Sequence, residues 1–341
     1  MRKEVLITGV AGLIGANFAD WILKNRPEIG VVGVDDLSGG YESNIDKRVK
    51  FYKRNLIHDS VSDIFEKHNI AYVFHFAAYA AEGLSPFMRK YNYLNNTVAT
   101  ANIIDSCINH KAERLVFTST MAVYGHAGME SRSDEPISPF SEHQVPEPID
   151  PYGIAKYACE MDIKVANKQH GLDYCIIRPH NVYGKKQNIW DRYRNVLGIW
   201  MYQHLHGQPF SIFGDGEQKR AFSCVDDSLP CLWTSAVSPG CSGEIINLGG
   251  TKEYTINHAS QILLKIIEGG EVRYHEERHE VKNAWASYEK SINLLNYKNR
   301  TSLEAGLKDM WEWAQVQPDR PRQSWDKYEV EEKIYEFWKN K

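Results

Sequence analysis

Tyr152 and Lys156 stand four residues apart in "DPYGIAKYACEMD", a spacing that places two helical side chains one turn apart on one face. A tyrosine is a useful general base only when its pKa of about 10 is brought toward neutrality. A lysine ammonium one turn away favours the phenolate. The same pair also suits an ordinary helix surface, so it points to chemistry only in company. A second candidate is the run Thr118, Ser119 and Thr120 in "LVFTSTMAVYG". Such hydroxyls bond a substrate oxygen or the tyrosine, although Ser and Thr also serve as caps where strands end. The third is "VLITGVAGLIGANF", with Gly9, Gly12 and Gly15 behind a short apolar run. After a strand and before a helix, three such glycines permit a tight turn, close backbone approach to a pyrophosphate, and close helix–strand packing. The helix start then meets the phosphates with unpaired N–H groups and a partial positive charge. Asp35 follows Gly15 by 20 residues in "VVGVDDLSGG", where a carboxylate accepts hydrogen bonds from an adenosine ribose and repels a 2′-phosphate. Turn and carboxylate together read as a cradle for NAD. Asp36 also fits as a helix cap.

The elements that must hold these residues follow from the hydrophobic pattern. Strands are predicted at Glu4–Thr8, Gly30–Val34, Val49–Lys53, Ala71–Phe76, Arg114–Ser119 and Asp173–Arg178, with a late addition in "EIINLGG" at 244–250. Most are apolar on both faces, as buried parallel strands are. Helical patterns at Ala16–Lys24, Asn95–Ile108 and Tyr152–Gln169 lie between them, and Asp150 with Pro151 makes a good start for the last. This alternation predicts an α/β fold with a doubly wound parallel sheet of Rossmann type. Beyond residue 180 the rhythm changes. Helices at Arg192–His206, Asp226–Ala236, Ile256–Glu268, Thr301–Ala314 and Glu329–Lys339 mix with strands at Phe210–Phe213 and Val272–His275. That mixture predicts a smaller α+β substrate lobe. The expected division is residues 1–180 plus a return at about 221–255 for the cofactor domain, and 181–220 with 256–341 for the lobe. The charged, aromatic tail is expected to be a surface helix packing Tyr328, Ile334 and Trp338.

Composition narrows the function classes. The chain of 341 residues is 43% hydrophobic and 25% charged with a formal net charge of −4, which argues against a nucleic-acid partner. No apolar run approaches the ~20 residues of a membrane span, and the start lacks a signal-peptide core. Six scattered cysteines without a CxxC pair suit free thiols in a reducing compartment, so a cytoplasmic location is expected. The 13 histidines form no HExxH or Cys/His ligand spacing, and no metal is expected.

Several stretches together resemble the extended short-chain dehydrogenase/reductase family, in its nucleotide-sugar epimerase and dehydratase branch. They are "TGVAGLIG", "VDDLSGG", "VFHFAA", "NNTVATANI", "FTSTMAVYG", "DPYGIAK", "RPHNVYG", "IFGDGEQKRAFSCVDD" and "INLGG", spread from about residue 4 to 315. The resemblance implies Tyr152 as catalytic base, Lys156 as ribose ligand and pKa modulator, and Thr120 in the catalytic Ser/Thr position. It implies NAD contacts from Gly9, Gly12, Leu13, Ile14, Gly15, Asp35, Asp36, Asn55, Leu56, Phe76, Ala77, Ala78, Asn96, Thr118 and Pro179. For the nucleotide sugar, a UDP-sugar by expectation, it implies Ala80, Glu82, Asn181, Arg220 and Arg278, the two arginines and Asn181 on the diphosphate. A homodimer paired through the helices at 95–108 and 152–169 is also implied.

Departures from the family pattern bear on the reaction. Asn55 replaces a common Asp near the adenine, Thr120 the commoner Ser, and Lys185-Lys186 the usual Pro-Arg. Met121-Ala122 follows Thr120, where 4,6-dehydratases of the family carry Asp-Glu and UDP-glucuronate decarboxylases place a Glu. The expected activity is therefore C4 epimerisation through a 4-keto sugar. Glu82, in a loop from Tyr79 to Pro86 without Lys or Arg, favours a neutral sugar of the glucose/galactose type over glucuronate, while Arg89 just beyond the loop points the other way. UDP-glucuronate 4-epimerase, another epimerase or reductase of the branch, a 4,6-dehydratase or decarboxylase, and a non-catalytic NAD sensor are the alternatives.

Overall fold

The computed structural model describes residues 2–126 and 139–339. Seven strands form one parallel sheet: β1 (Glu4–Thr8), β2 (Gly30–Asp35), β3 (Lys50–Lys53), β4 (Ile70–His75), β5 (Arg114–Thr118), β6 (Tyr174–Pro179) and β7 (Glu244–Leu248). Their order across the sheet is β7-β6-β5-β4-β1-β2-β3, every neighbour parallel. The order reverses between β1 and β4, which opens a crevice at the carboxyl ends of the strands. Helices cover both faces. α1 (Leu13–Asn25) lies on one face, and α2 (Ala99–Asn109) and α3 (Pro151–His170) lie on the other. The apolar runs read from the sequence are buried on both sides for this reason.

The remaining elements build against the crevice. α4 (Val196–Leu205), α5 (Val225–Val237), α6 (Ile256–Ile266) and α7 (Leu303–Gln315) follow in chain order. α5 returns to the sheet beside α1. α4, α6 and α7 share a second core around Trp200, Leu263, Leu307 and Met310. Within that layer Phe210–Phe213 pairs in parallel with Val272–His275.

Three helical expectations change. The helix expected from Arg192 begins only at Val196, because Asn195 takes a positive φ of 43° and its side-chain oxygen accepts from the Leu197 N–H. Residues 94–98 make a π-helical turn ahead of α2. The tail is helical only over Glu336–Lys339, since its side chains bond outward: the Glu329 carboxylate accepts from the N–H groups of Lys90 and Tyr91. Trp338 and Ile334 are buried, as expected, in a cluster with Leu84, Phe87 and Tyr193. No helix among the described residues is long and apolar enough to cross a membrane, and no cluster of metal-ligating side chains occurs among them. All six cysteines are buried and unpaired.

Candidate active site

A cavity of about 500 Å³ fills the crevice. On its sheet side, Gly9 turns the chain at φ +70°, and a Cβ there would meet the Ala77 nitrogen at 2.7 Å. A Cβ on Gly15 would lie 2.2 Å from the Gly9 oxygen, so α1 packs on β1 only with glycine there. Gly12 meets nothing closer than 3.4 Å; no protein atom forces its glycine, and its backbone faces the cavity. α1 starts there with no side-chain cap, leaving its first N–H groups for an anion. Asp35 accepts from the N–H groups of Ala11 (2.9 Å) and Leu37 (2.8 Å), while burial raises its pKa. Asp36 caps a turn rather than a helix: it accepts from the Ser38 N–H and the Asn55 side-chain amide.

α3 presents Tyr152 and Lys156. Its start is set by the Asp150 carboxylate, which accepts from the N–H groups of Tyr152 and Gly153 at 2.9 Å each, a cap worth about 1 kcal/mol. Its body is locked to the sheet by a buried pair, Arg178 donating to Glu160 through Nε (2.9 Å) and Nη2 (2.6 Å). Removing one partner of such a pair costs about 3–5 kcal/mol. Ser119 donates to the same Glu160, so of the three hydroxyls its own is spent on structure. Thr118 Oγ1 is buried without a partner among the described residues, and Thr120 lines the cavity beside Tyr152.

The electrostatics differ from the expectation. Burial raises the Tyr152 pKa well above its ordinary value; the Thr120 hydroxyl and Arg194 lower it, and Glu82 and Asp150 raise it. Lys156 is not among the leading influences. Its own pKa is lowered to about 8 by burial, and its Nζ donates to the Thr118 carbonyl at 2.9 Å.

At the other end of the cavity lie Asn181, Arg220, Arg278 and Glu82. Arg220 donates through Nη2 to Glu280 at 3.0 Å and through Nη1 to the carbonyls of Lys219 and Lys282. The Arg278 guanidinium lies 3.3 Å from the Phe213 ring centroid and 4.8 Å from that of Trp338. Burial lowers its pKa to about 10. Glu82 is exposed to the cavity; desolvation there, then Asp150, raise its pKa to about 8 against the pull of Arg220.

Of the site residues predicted, all line this cavity except Asn96. The π-helical turn aims Asn96 inward, where its amide donates to the carbonyls of Asn92 and Tyr79; Asn95 and Ala99 take the cavity face. Sequence reasoning missed Ser38, Gly39, Phe213, Glu280 and Phe337, and above all Arg192 and Arg194 in "WDRYRN". Two arginines beside a glycine-turn fold were the available signal, hidden by assigning them to a helix.

The unpartnered Thr118 hydroxyl, the uncapped start of α1 and the glycine turn that a Cβ would fill all suit a dinucleotide. Fold and site therefore define a Rossmann-type, dinucleotide-dependent enzyme with a Tyr-x-x-x-Lys pair. The chain belongs to the NAD dependent epimerase/dehydratase family, whose model matches residues 5–249. NAD is accordingly its cofactor. It is 31% identical to a UDP-glucuronate 4-epimerase of Thermodesulfobacterium geofontis over 91% of this chain and 95% of that one. Among solved structures it is similar to a UDP-glucose 4-epimerase of Thermotoga maritima with UDP-glucose, at TM-score 0.83, 31% identity, and 92% and 98% coverage of the two chains. A Bacillus cereus UDP-glucuronic acid 4-epimerase, solved with UDP-glucuronic acid and NAD, matches at TM-score 0.81 and 27% identity, covering 92% and 99%.

Proposed function

We propose that this enzyme epimerises a UDP-sugar at C4, with residues 1–180 and 221–255 carrying NAD and the rest carrying the nucleotide sugar. The observation that carries the reading is the trio Thr120, Tyr152 and Lys156 on one wall of the cavity, followed by Met121-Ala122, which can transfer no proton. Elimination of water across C5 and C6 needs further acid–base groups; epimerisation does not. Bound NAD supplies the acceptor and donor of hydride at C4 and, oxidised, a positive charge favouring phenolate. Tyr152 takes the proton from the sugar 4-OH and later returns it. Thr120 orients that oxygen by hydrogen bonding, and Lys156 holds the ribose. Arg220, Arg278 and Asn181 hold the diphosphate by charge-assisted bonds. A protein that only sensed NAD would not need all three.

A neutral hexose is the preferred substrate, since the loop from Tyr79 to Pro86 offers a sugar carboxylate no Lys or Arg. A second reading, UDP-glucuronate, is supported by Glu82. With its pKa raised to about 8, Glu82 is largely protonated at pH 7 and donates to a substrate carboxylate instead of repelling it. Above pH 8 it is charged and repels. Proton NMR with UDP-glucose and UDP-glucuronate, each at pH 7 and pH 9, tests both readings. The expected product is the C4 epimer, with turnover of the glucuronate falling more steeply above pH 8. A 4-keto-6-deoxy product or released CO₂ would overturn the epimerase reading, and faster turnover of glucuronate at pH 7 would overturn only the choice of sugar.

A further inference from the structure

We propose that Arg194 binds the bridging phosphates of NAD from the side opposite the glycine turn, so that the cofactor is gripped between the sheet and the second layer. One edge of its guanidinium is fixed: Nε donates to the buried Asp191 carboxylate at 2.7 Å. Its Nη2 is buried and has no hydrogen-bond partner among the described residues. The free end rests on Gly39, where a Cβ would lie 3.0 Å from Nη2 and 3.1 Å from Nη1. Glycine there leaves the guanidinium room to lie flat on the loop. That loop is itself seated on the glycine turn, since a Cβ on Gly40 would lie 2.4 Å from Ala11 and 2.8 Å from the Gly12 nitrogen. Arg194 thus reaches the cavity wall beside the open start of α1.

A pyrophosphate on the glycine turn finds backbone N–H groups, but the first turn of α1 and the loop from Tyr79 to Pro86 carry no basic side chain. Arg54, which also lines the cavity, pairs with Asp63. Lys156 is committed to the Thr118 carbonyl. Arg194 keeps Nη2 without a partner among the described residues, a charged donor suited to phosphate oxygens. Its segment is also tied to the C-terminal chain: the Trp190 carbonyl accepts from the Gln323 N–H at 2.9 Å, and the Tyr193 hydroxyl bonds that of Tyr328 at 2.9 Å.

The inference rests on the placement of NAD on the glycine turn proposed above, and its test separates the two. Full-length Arg194→Gln, Arg194→Lys and Asp35→Ala proteins are freed of cofactor and titrated with ADP-ribose, adenosine and UDP. Arg194→Gln is expected to weaken ADP-ribose by about 10- to 100-fold, the scale of one charge-assisted bond, and to purify with less NAD. Adenosine and UDP affinities should stay within twofold of wild type, and Arg194→Lys should recover part of the loss. Unchanged ADP-ribose affinity, an equal loss for adenosine, or a loss for UDP alone would overturn the role of Arg194. Asp35→Ala should weaken adenosine; if it does not, the placement of NAD itself is wrong.

Discussion

Tyr152 owes its position to its backbone and its reactivity to its surroundings. Its N–H, not its hydroxyl, engages the Asp150 cap, so removing the hydroxyl leaves the helix start intact. Tyr152→Phe is therefore expected to fold, to purify with NAD, and to lose about 10²-fold or more in kcat, the scale of a lost general base. Lys156→Met should lower kcat and NAD content together. A coupled epimerase assay alongside release and identification of the bound nucleotide checks both, and near wild-type kcat in Tyr152→Phe would remove Tyr152 from the mechanism. The phenol's raised pKa adds a condition on when it can act. With burial, Glu82 and Asp150 all opposing ionisation, positive charge must be brought to the ring before it can serve as a base.

Among the elements, α3 and the C-terminal segment show what a sequence can and cannot disclose. The start of α3 is written locally in Asp150 and Pro151, and its end in Gly171, which takes φ 73°. The glycine turn is equally local. Arg194 and Trp338 are different, because what defines them is contact between residues far apart in the chain. Trp338 is buried against Phe87 and Tyr193, and Phe337 accepts from Arg192 through its carbonyl while lining the cavity. The segment thus walls the site, where the amphipathic pattern alone suggested a surface helix. It also lies beyond the 5–249 matched by the family model. Since Trp338 supplies one of the faces against Arg278, Trp338→Leu is expected to weaken UDP binding several-fold, as a loosened arginine grips phosphate less well. NAD content should hold. Calorimetric titration with UDP measures the first and nucleotide release the second; a parallel fall in both would mean the segment only stabilises the fold.

At the scale of the whole molecule, the helices that carry the site also leave apolar side chains in water. On α3, Ile154, Met161 and Val165 are 41%, 49% and 45% exposed, and Val98, just ahead of α2, is 38% exposed. Steps of seven and four residues put the three α3 side chains on one stripe. α2 and α3 pack side by side, so Val98 extends the patch across both. A soluble monomer rarely leaves such a stripe uncovered. A second copy of the chain brought up by a two-fold axis would cover it, helix against helix, as an isologous interface. The wild-type protein is therefore expected to run as a dimer in size-exclusion chromatography with light scattering at micromolar concentration. The double variant Met161→Lys with Val165→Glu places two charges at the centre of the patch and should run as a monomer. Neither residue lines the cavity, so NAD content should not change. A monomeric wild type, or a double variant that remains dimeric, would assign these residues to plain surface.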